Sequence, residues 1–331
     1  MSTFKLQRGE PLLDISSFAK RGPGRTDRLT PTEIEHIART VRRDPEVMVK
    51  VSGGGASPKA VATHFKYIDR HGRLELETDD GERLMGMSAE KDLLEDWNLD
   101  VDAAEAKSPY SGRPGRKPGK LVHNIILSMP VGTPPQGLLN ASRAFSREQF
   151  ALKHRYAMVL HTDQNHPHVH LVVKALSHLG ERLNIRKATL REWRQEFARH
   201  LREQGLAANA TERAVRGSYR AHKSDGAYRT MRRGESTNLR SRLEGIGAQL
   251  SKYANEVDPG RARVLATRRQ VDRGWQSVRG QLKKQGEHEL SAQAGRFTRT
   301  FPPLRTENEQ LAMKVAGPIH LRHIERGDAV R

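Results

Sequence analysis

The sequence predicts an α+β fold, an antiparallel sheet with helices packed on it, followed by a basic helical tail. Three observations carry the prediction. Two short apolar runs, YAMVLH (156–161) and HVHLVVK (168–174), flank the turn-forming residues Thr162 to Pro167, as a hairpin requires. A third run, LVHNIILSMPVG (121–132), is rich in β-branched residues and reads as a central strand. Around these lie segments with helical periodicity, bounded by capping residues.

Taken in chain order, residues 1–50 mix charge with Pro and Gly, including RGPGR at 21–25. They read as a partly disordered extension with a short helix near Pro31–Val41. SGGGAS at 52–57 reads as a flexible joint. A helix follows, capped by Ser57, opened by Pro58 and stopped by Gly72, with Val61, Phe65 and Ile68 on its buried face. LELET at 74–78 alternates like a short strand. The polar stretch 79–120 reads as an insertion and leaves the early strand order open. It ends in a basic loop, KSPYSGRPGRKPGK, at 107–120. Residues 141–154 are expected to be helical, with Phe145, Phe150 and Leu152 supplying apolar contacts. Thr189 and Glu192 form a capping box for a helix that turns Leu190, Trp193, Phe197 and Leu201 inward and stops at Gly205. Beyond residue 205 there are 25 Lys and Arg against 13 Asp and Glu, in helices joined by Gly-rich breaks. The expected layout is an extension over 1–50, one folded domain over 51–216 and a basic, mostly helical region over 217–331.

Composition narrows the function. Aromatic residues make up 5% and hydrophobic residues 35% of the 331, so one core spanning the whole chain is not expected. A net charge of +19 calls for a polyanionic partner, nucleic acid or an anionic membrane surface. With no cysteine, disulfides, thiolate zinc sites and cysteine nucleophiles are excluded. No apolar run approaches the roughly 20 residues that span a bilayer, and the N-terminus lacks the apolar stretch of a secretory signal. A cytoplasmic protein without membrane insertion is expected.

The densest chemistry lies in HTDQNHPHVH, residues 161–170. In a hairpin His161 stands opposite His168, and side-chain alternation puts His170 on the same face, with Val169, Leu171 and Val173 on the other. Three neutral imidazoles with open positions beside them make a metal site that can still accept a substrate oxygen. His166 sits in the turn before Pro167, where it can support a ligand or face the substrate. Asp163 either accepts the second N–H of His161 or closes the turn; both readings stand.

Tyr67 is the second feature. It lies about 120° around the helix from the Val61–Phe65–Ile68 face, so core packing does not explain its ring. Thr63, His64, Arg70 and His71 surround it at helical spacing, and this cationic neighbourhood suits phosphate binding. Tyr219 and Tyr228 are rivals, in the basic stretch RGSYRAHKSDGAYRTMRR. Arg113, Arg116, Lys117 and Lys120 of the basic loop are candidates for gripping a DNA backbone or are a solvated linker.

HTDQNHPHVHLVVKA resembles the third motif of the MobA/VirD-type relaxases of the HUH endonuclease superfamily, and LVHNIILSMPVGT resembles their central strand. SGGGASPKAVATHFKYIDRHGRLELE resembles the N-terminal part of the T-DNA border type. The resemblance covers about 51–216. It implies an HUH palm, metal ligands at His161, His168 and His170, and Tyr67 as the nucleophile. The implied activity nicks one strand of single-stranded or supercoiled DNA at an origin of transfer and leaves a 5′-phosphotyrosyl link. The family implies Mn²⁺ or Mg²⁺, while three imidazoles also suit Zn²⁺. It further implies an accessory DNA-binding protein, a type IV secretion coupling protein and export with the strand. Alternatives remain open: a rolling-circle initiator or transposase using Tyr219 or Tyr228, a hydrolytic nuclease, or a non-catalytic metal-stabilised DNA-binding protein.

Overall fold

The computed structural model of the protein describes residues 28–107, 119–218 and 259–306, with isolated positions at 230, 237, 240, 241, 244 and 310. These fall into two compact units. One runs over residues 42–210, and the other joins residues 28–41 to those beyond 210.

Among the described residues the first unit is built on six antiparallel strands: β1 (Met48–Gly53), β2 (Leu76–Thr78), β3 (Arg83–Leu84), β4 (Val122–Ser128), β5 (Tyr156–His161) and β6 (His168–Lys174). Their order across the sheet is β1-β4-β6-β5-β2-β3. The β5–β6 hairpin pairs Tyr156 with Val173 and His161 with His168. β4 lies on the other side of β6, with Ser128 opposite His168 and Ile126 opposite His170.

Alternation gives this sheet two apolar faces. On one, Leu127, Met158, Leu171 and Val173 join Phe145, Trp193 and Phe197 of two helices, Pro135–Phe150 and Lys187–Glu203. On the other, Val122, Ala157, Val159 and Val172 meet the helix Pro58–Ile68 through Val61, Phe65 and Ile68. The three histidines of the hairpin share this second face with Val159 and Val172, because they occupy alternate positions of the same strands.

In chain order the helices are α1 (Pro31–Arg42), α2 (Pro58–Ile68), α3 (Ala89–Asp96), α4 (Leu99–Lys107), α5 (Pro135–Phe150), α6 (Lys187–Glu203), α7 (Pro259–Lys284) and α8 (His288–Arg299). The Ser57 hydroxyl caps α2 by accepting the Ala60 N–H at 3.3 Å. The helix ends at Ile68, a turn before the glycine expected to stop it. Arg70, His71 and Gly72 all take the left-handed conformation, at φ 56°, 59° and 78°. Such a run is uphill for the two residues that carry a Cβ, so tertiary contacts must hold it. Phe65 is fully buried and meets Trp97 edge-on, with centroids 5.8 Å apart. Phe65→Ala is expected to cost about 3–5 kcal/mol in urea unfolding. A loss below about 1 kcal/mol would mean that α2 is not part of the core.

Several sequence expectations shift. The stretch 79–107 is more than a polar insertion: it holds β3, α3 and α4, and buries Leu93, Trp97 and Leu99. β1 starts at Met48, inside the expected extension, and runs into the expected joint as an edge strand. α5 stops at Phe150, so Leu152 lies past its end and is exposed. At α6, Thr189 accepts the Arg186 N–H at 3.3 Å, so the helix starts earlier than a box headed by Thr189 predicts.

In the second unit α1, α7 and α8 enclose Ile37, Val271, Trp275, Val278 and Phe297. The Trp275 indole donates to the Val215 carbonyl at 3.0 Å. Gln285 brackets Leu29, accepting its N–H and donating to its carbonyl, each at 2.9 Å.

Candidate metal centre

The hairpin register puts three imidazoles side by side. Ring centroids lie 4.4 Å apart for His161–His170, 5.0 Å for His168–His170 and 5.1 Å for His161–His168. One ring nitrogen from each falls within 4.8 Å of the others, and all three residues are buried.

Backbone carbonyls set two of the tautomers. The His168 Nδ1–H donates to the His166 carbonyl at 3.0 Å, which leaves a lone pair on Nε2. The His161 Nε2–H donates to the Ile68 carbonyl at 2.6 Å, so its lone pair is on Nδ1. An Arg70 amino group donates to that Nδ1 at 3.2 Å. His170 keeps Nδ1 buried with no hydrogen-bond partner. Burial, then the neighbouring His161 and His168, push His170 down to about 3. Burial also lowers His161. Three converging imidazoles, with the His161 Nδ1 shared with Arg70 and the His170 Nδ1 orphaned, offer a donor set that suits a divalent ion of borderline softness.

These shifts fix a pH dependence. A histidine whose folded pKa lies below its unfolded value of about 6.5 takes up a proton only on unfolding in that window, so stability falls as pH drops. Thermal stability of the metal-free protein is expected to decline from pH 6.5 toward pH 4. His170→Ala should flatten the decline, and a slope equal to wild type would contradict the assignment.

Tyr67 stands on α2 above this cluster, 53% exposed. Its ring centroid is 6.2 Å from that of His170, nearly perpendicular, and 6.2 Å from that of His64, stacked. His64 closes the set, 6.3 Å from His170, with a buried, unpartnered Nε2 and a pKa lowered by burial. Arg70 ties the parts together. Its guanidinium lies 5.2 Å from the Tyr67 ring centroid, donates to the Tyr67 carbonyl at 2.8 Å and pairs with Asp163 at 2.5 Å. Burial pulls Arg70 downward, but hydrogen bonds and charge from Asp163 and Tyr67 outweigh it and hold it above its ordinary value. The same contact holds the Asp163 carboxyl below its usual range.

Asp163 therefore reaches His161 through Arg70, an arrangement that sequence reasoning missed. The signal available was the third-residue spacing of Tyr67 and Arg70 at a helix end. His166 contributes its backbone carbonyl while its side chain, like that of His71, is exposed. Lys120 donates to the Gly53 carbonyl at 3.2 Å and sits beside His123 and Arg182. Arg113, Arg116, Lys117, Tyr219 and Tyr228 lie outside the described residues. Among the described residues no helix is long and apolar enough to cross a membrane.

An antiparallel sheet that gathers three buried imidazoles beside an exposed tyrosine is a candidate metal-centre domain. Its resemblance to the MobA/VirD-type relaxases is shown by comparison: residues 81–206 match the family model "Relaxase: MobA/VirD2-like, nuclease domain". The match includes all three histidines and begins after Tyr67. The chain is similar to the T-DNA border endonuclease VirD2 of Agrobacterium fabrum (strain C58 / ATCC 33970), 25% identical over 209 residues, 59% of this chain and 46% of the relative. It is also similar to VirD2 of Rhizobium rhizogenes, 24% identical over 202 residues, 57% of this chain and 45% of the relative. The chain thus spans about half the length of these curated relatives. Among solved structures, the Mn-bound MobM relaxase domain with plasmid pMV158 oriT DNA aligns at 14% identity and a TM-score of 0.37, over 56% of this chain and 98% of the other.

Proposed function

We propose that the protein is a relaxase that nicks one DNA strand at an origin of transfer and keeps the 5′ end on Tyr67. The observation that carries the reading is an exposed tyrosine ring 6.2 Å from His170 of a buried histidine cluster. His161, His168 and His170 would hold the ion, Mn²⁺ or Mg²⁺ in function, with Zn²⁺ also matched to the donors. Such an ion would supply Lewis-acid polarisation of the scissile phosphate and offset charge in the transition state.

The residues of the chain do the rest. The Tyr67 oxygen attacks phosphorus in line and gives up its proton, the bond from phosphorus to the 3′ oxygen breaks, and that oxygen takes up one proton to leave as a hydroxyl. One phosphodiester replaces another, so the same site can rejoin the strand. Arg70, held by Asp163 and stacked on Tyr67, fixes the phenol over the cluster and adds positive charge where a phosphate must sit. The folded unit with the histidines is the nuclease domain, and the excess positive charge beyond residue 205 suits further backbone contacts or the docking of transfer partners. An accessory DNA-binding protein, a type IV coupling protein and export with the strand follow from the family resemblance.

The test is a covalent protein–DNA product on a denaturing gel, formed with Mn²⁺ or Mg²⁺ on single-stranded and supercoiled DNA from the gene's neighbourhood. The product is expected with metal and absent with chelator. Cleavage with both ends free would point to a hydrolytic nuclease. Tight metal binding without cleavage would point to a metal-stabilised binding protein.

A further inference from the structure

A second, separate cluster of donors lies on the opposite face of the sheet. His123 pairs with Val173 in β4–β6, and Val173 belongs to the core beneath α5 and α6. Along β4, His123 is five positions from the level of His168, about 17 Å away. Here Lys120, His123 and Arg182 converge on one cavity of about 560 Å³.

Each cation is tied down by backbone. Lys120 Nζ donates to the Gly53 carbonyl at 3.2 Å, and Arg182 donates to the Lys120 carbonyl. The Arg182 guanidinium lies across Gly119, where a Cβ would come within 2.5 Å of it. Leu176 and Arg182 form an isolated antiparallel bridge, which fixes the base of that side chain. Among the described residues no carboxylate pairs with Lys120 or Arg182. Burial pushes His123 down to about 4, and the charges of Lys120 and Arg182 add to the same direction. Val51, Leu183, Ile185 and Leu190 supply the apolar remainder of the wall.

Like charges held together around a cavity, without an acid, are arranged for an anion. A lysine with a planar guanidinium suits phosphate oxygens, and the apolar wall suits a flat ring. The size lies within the range of small-molecule sites, roughly 300–1,000 Å³. We propose that this cavity is a nucleotide site, with the phosphate on Lys120 and Arg182 and the base against Leu183, Ile185 and Leu190. The nucleotide is either one residue of a bound DNA strand, a source that rests on the relaxase reading, or a free nucleotide.

The experiment titrates the full chain with thymidine 5′-monophosphate, inorganic phosphate and thymidine by calorimetry. The monophosphate is expected to bind, at least tenfold more tightly than either fragment. K120Q/R182Q should weaken it at least tenfold, while Lys120→Arg retains it, and thermal melts check that each variant is folded. A labelled single-stranded oligonucleotide, titrated against Tyr67→Phe protein so that no cleavage intervenes, separates the sources. If the strand supplies the nucleotide, K120Q/R182Q lowers the slope of log K against log salt by about 0.7 per phosphate lost. If only the monophosphate responds, the site takes free nucleotides. No monophosphate binding together with unchanged oligonucleotide affinity overturns the proposal, as does phosphate binding as tightly as the monophosphate. A protein that forms no covalent DNA product yet binds monophosphate through these residues keeps the site and loses the relaxase reading. The reverse outcome separates the two equally.

Discussion

Tyr67→Phe is expected to abolish the covalent protein–DNA product and to lower strand cleavage on the order of 10⁴-fold or more, the scale of losing a nucleophile. Only the phenolic oxygen is removed, and the ring is 53% exposed, so stability should stay within about 0.5 kcal/mol. Stacking on His64 and the contact with Arg70 survive, because both use the ring or the backbone carbonyl. DNA binding should therefore persist while chemistry disappears. A covalent band of normal intensity in the Phe variant would move the nucleophile elsewhere, with Tyr219 and Tyr228 the next to replace.

His168→Ala is expected to weaken Mn²⁺ binding on the order of 10²-fold or more, since losing a direct ligand should exceed the loss seen for residues that only orient one. The strand itself stays paired on both sides, with Ser128 and His161. Metal-free stability should thus change by no more than about 1–2 kcal/mol. What disappears is the stabilisation on adding metal, about 2.7 kcal/mol for wild type at a concentration of 100 Kd, which is read as a higher melting temperature. Cleavage should fall with it. Wild-type affinity in this variant, measured by calorimetry, would remove His168 from the ligand set.

The hairpin was legible in sequence because its information is local. Alternating residues and a turn place His161, His168 and His170 on one face whatever the rest of the chain does. The start of α2 was legible for the same reason, with Ser57 and Pro58 adjacent to its apolar face. Its end was not, because the left-handed run begins at Arg70, whose guanidinium contacts Asp163 and His161 about 90 residues away. The edge strand β1 escaped notice since its short pattern ends in glycines that resemble a linker. Trp97 was hidden by the charged residues around it, although its ring is a centre of the core on the histidine side.

The hydrogen bond from His161 to the last carbonyl of α2 also has an electrostatic side. Peptide dipoles along those eleven residues add up to roughly half a negative charge at the Ile68 end, and that end abuts the imidazoles. That pole attracts cations, and the Arg70 guanidinium, which donates to His161 Nδ1 beside it, is one that the chain itself supplies. If the cluster holds a divalent ion as proposed, the macrodipole of α2 adds to its hold on that ion, and its positive counterpart toward a phosphate is Arg70.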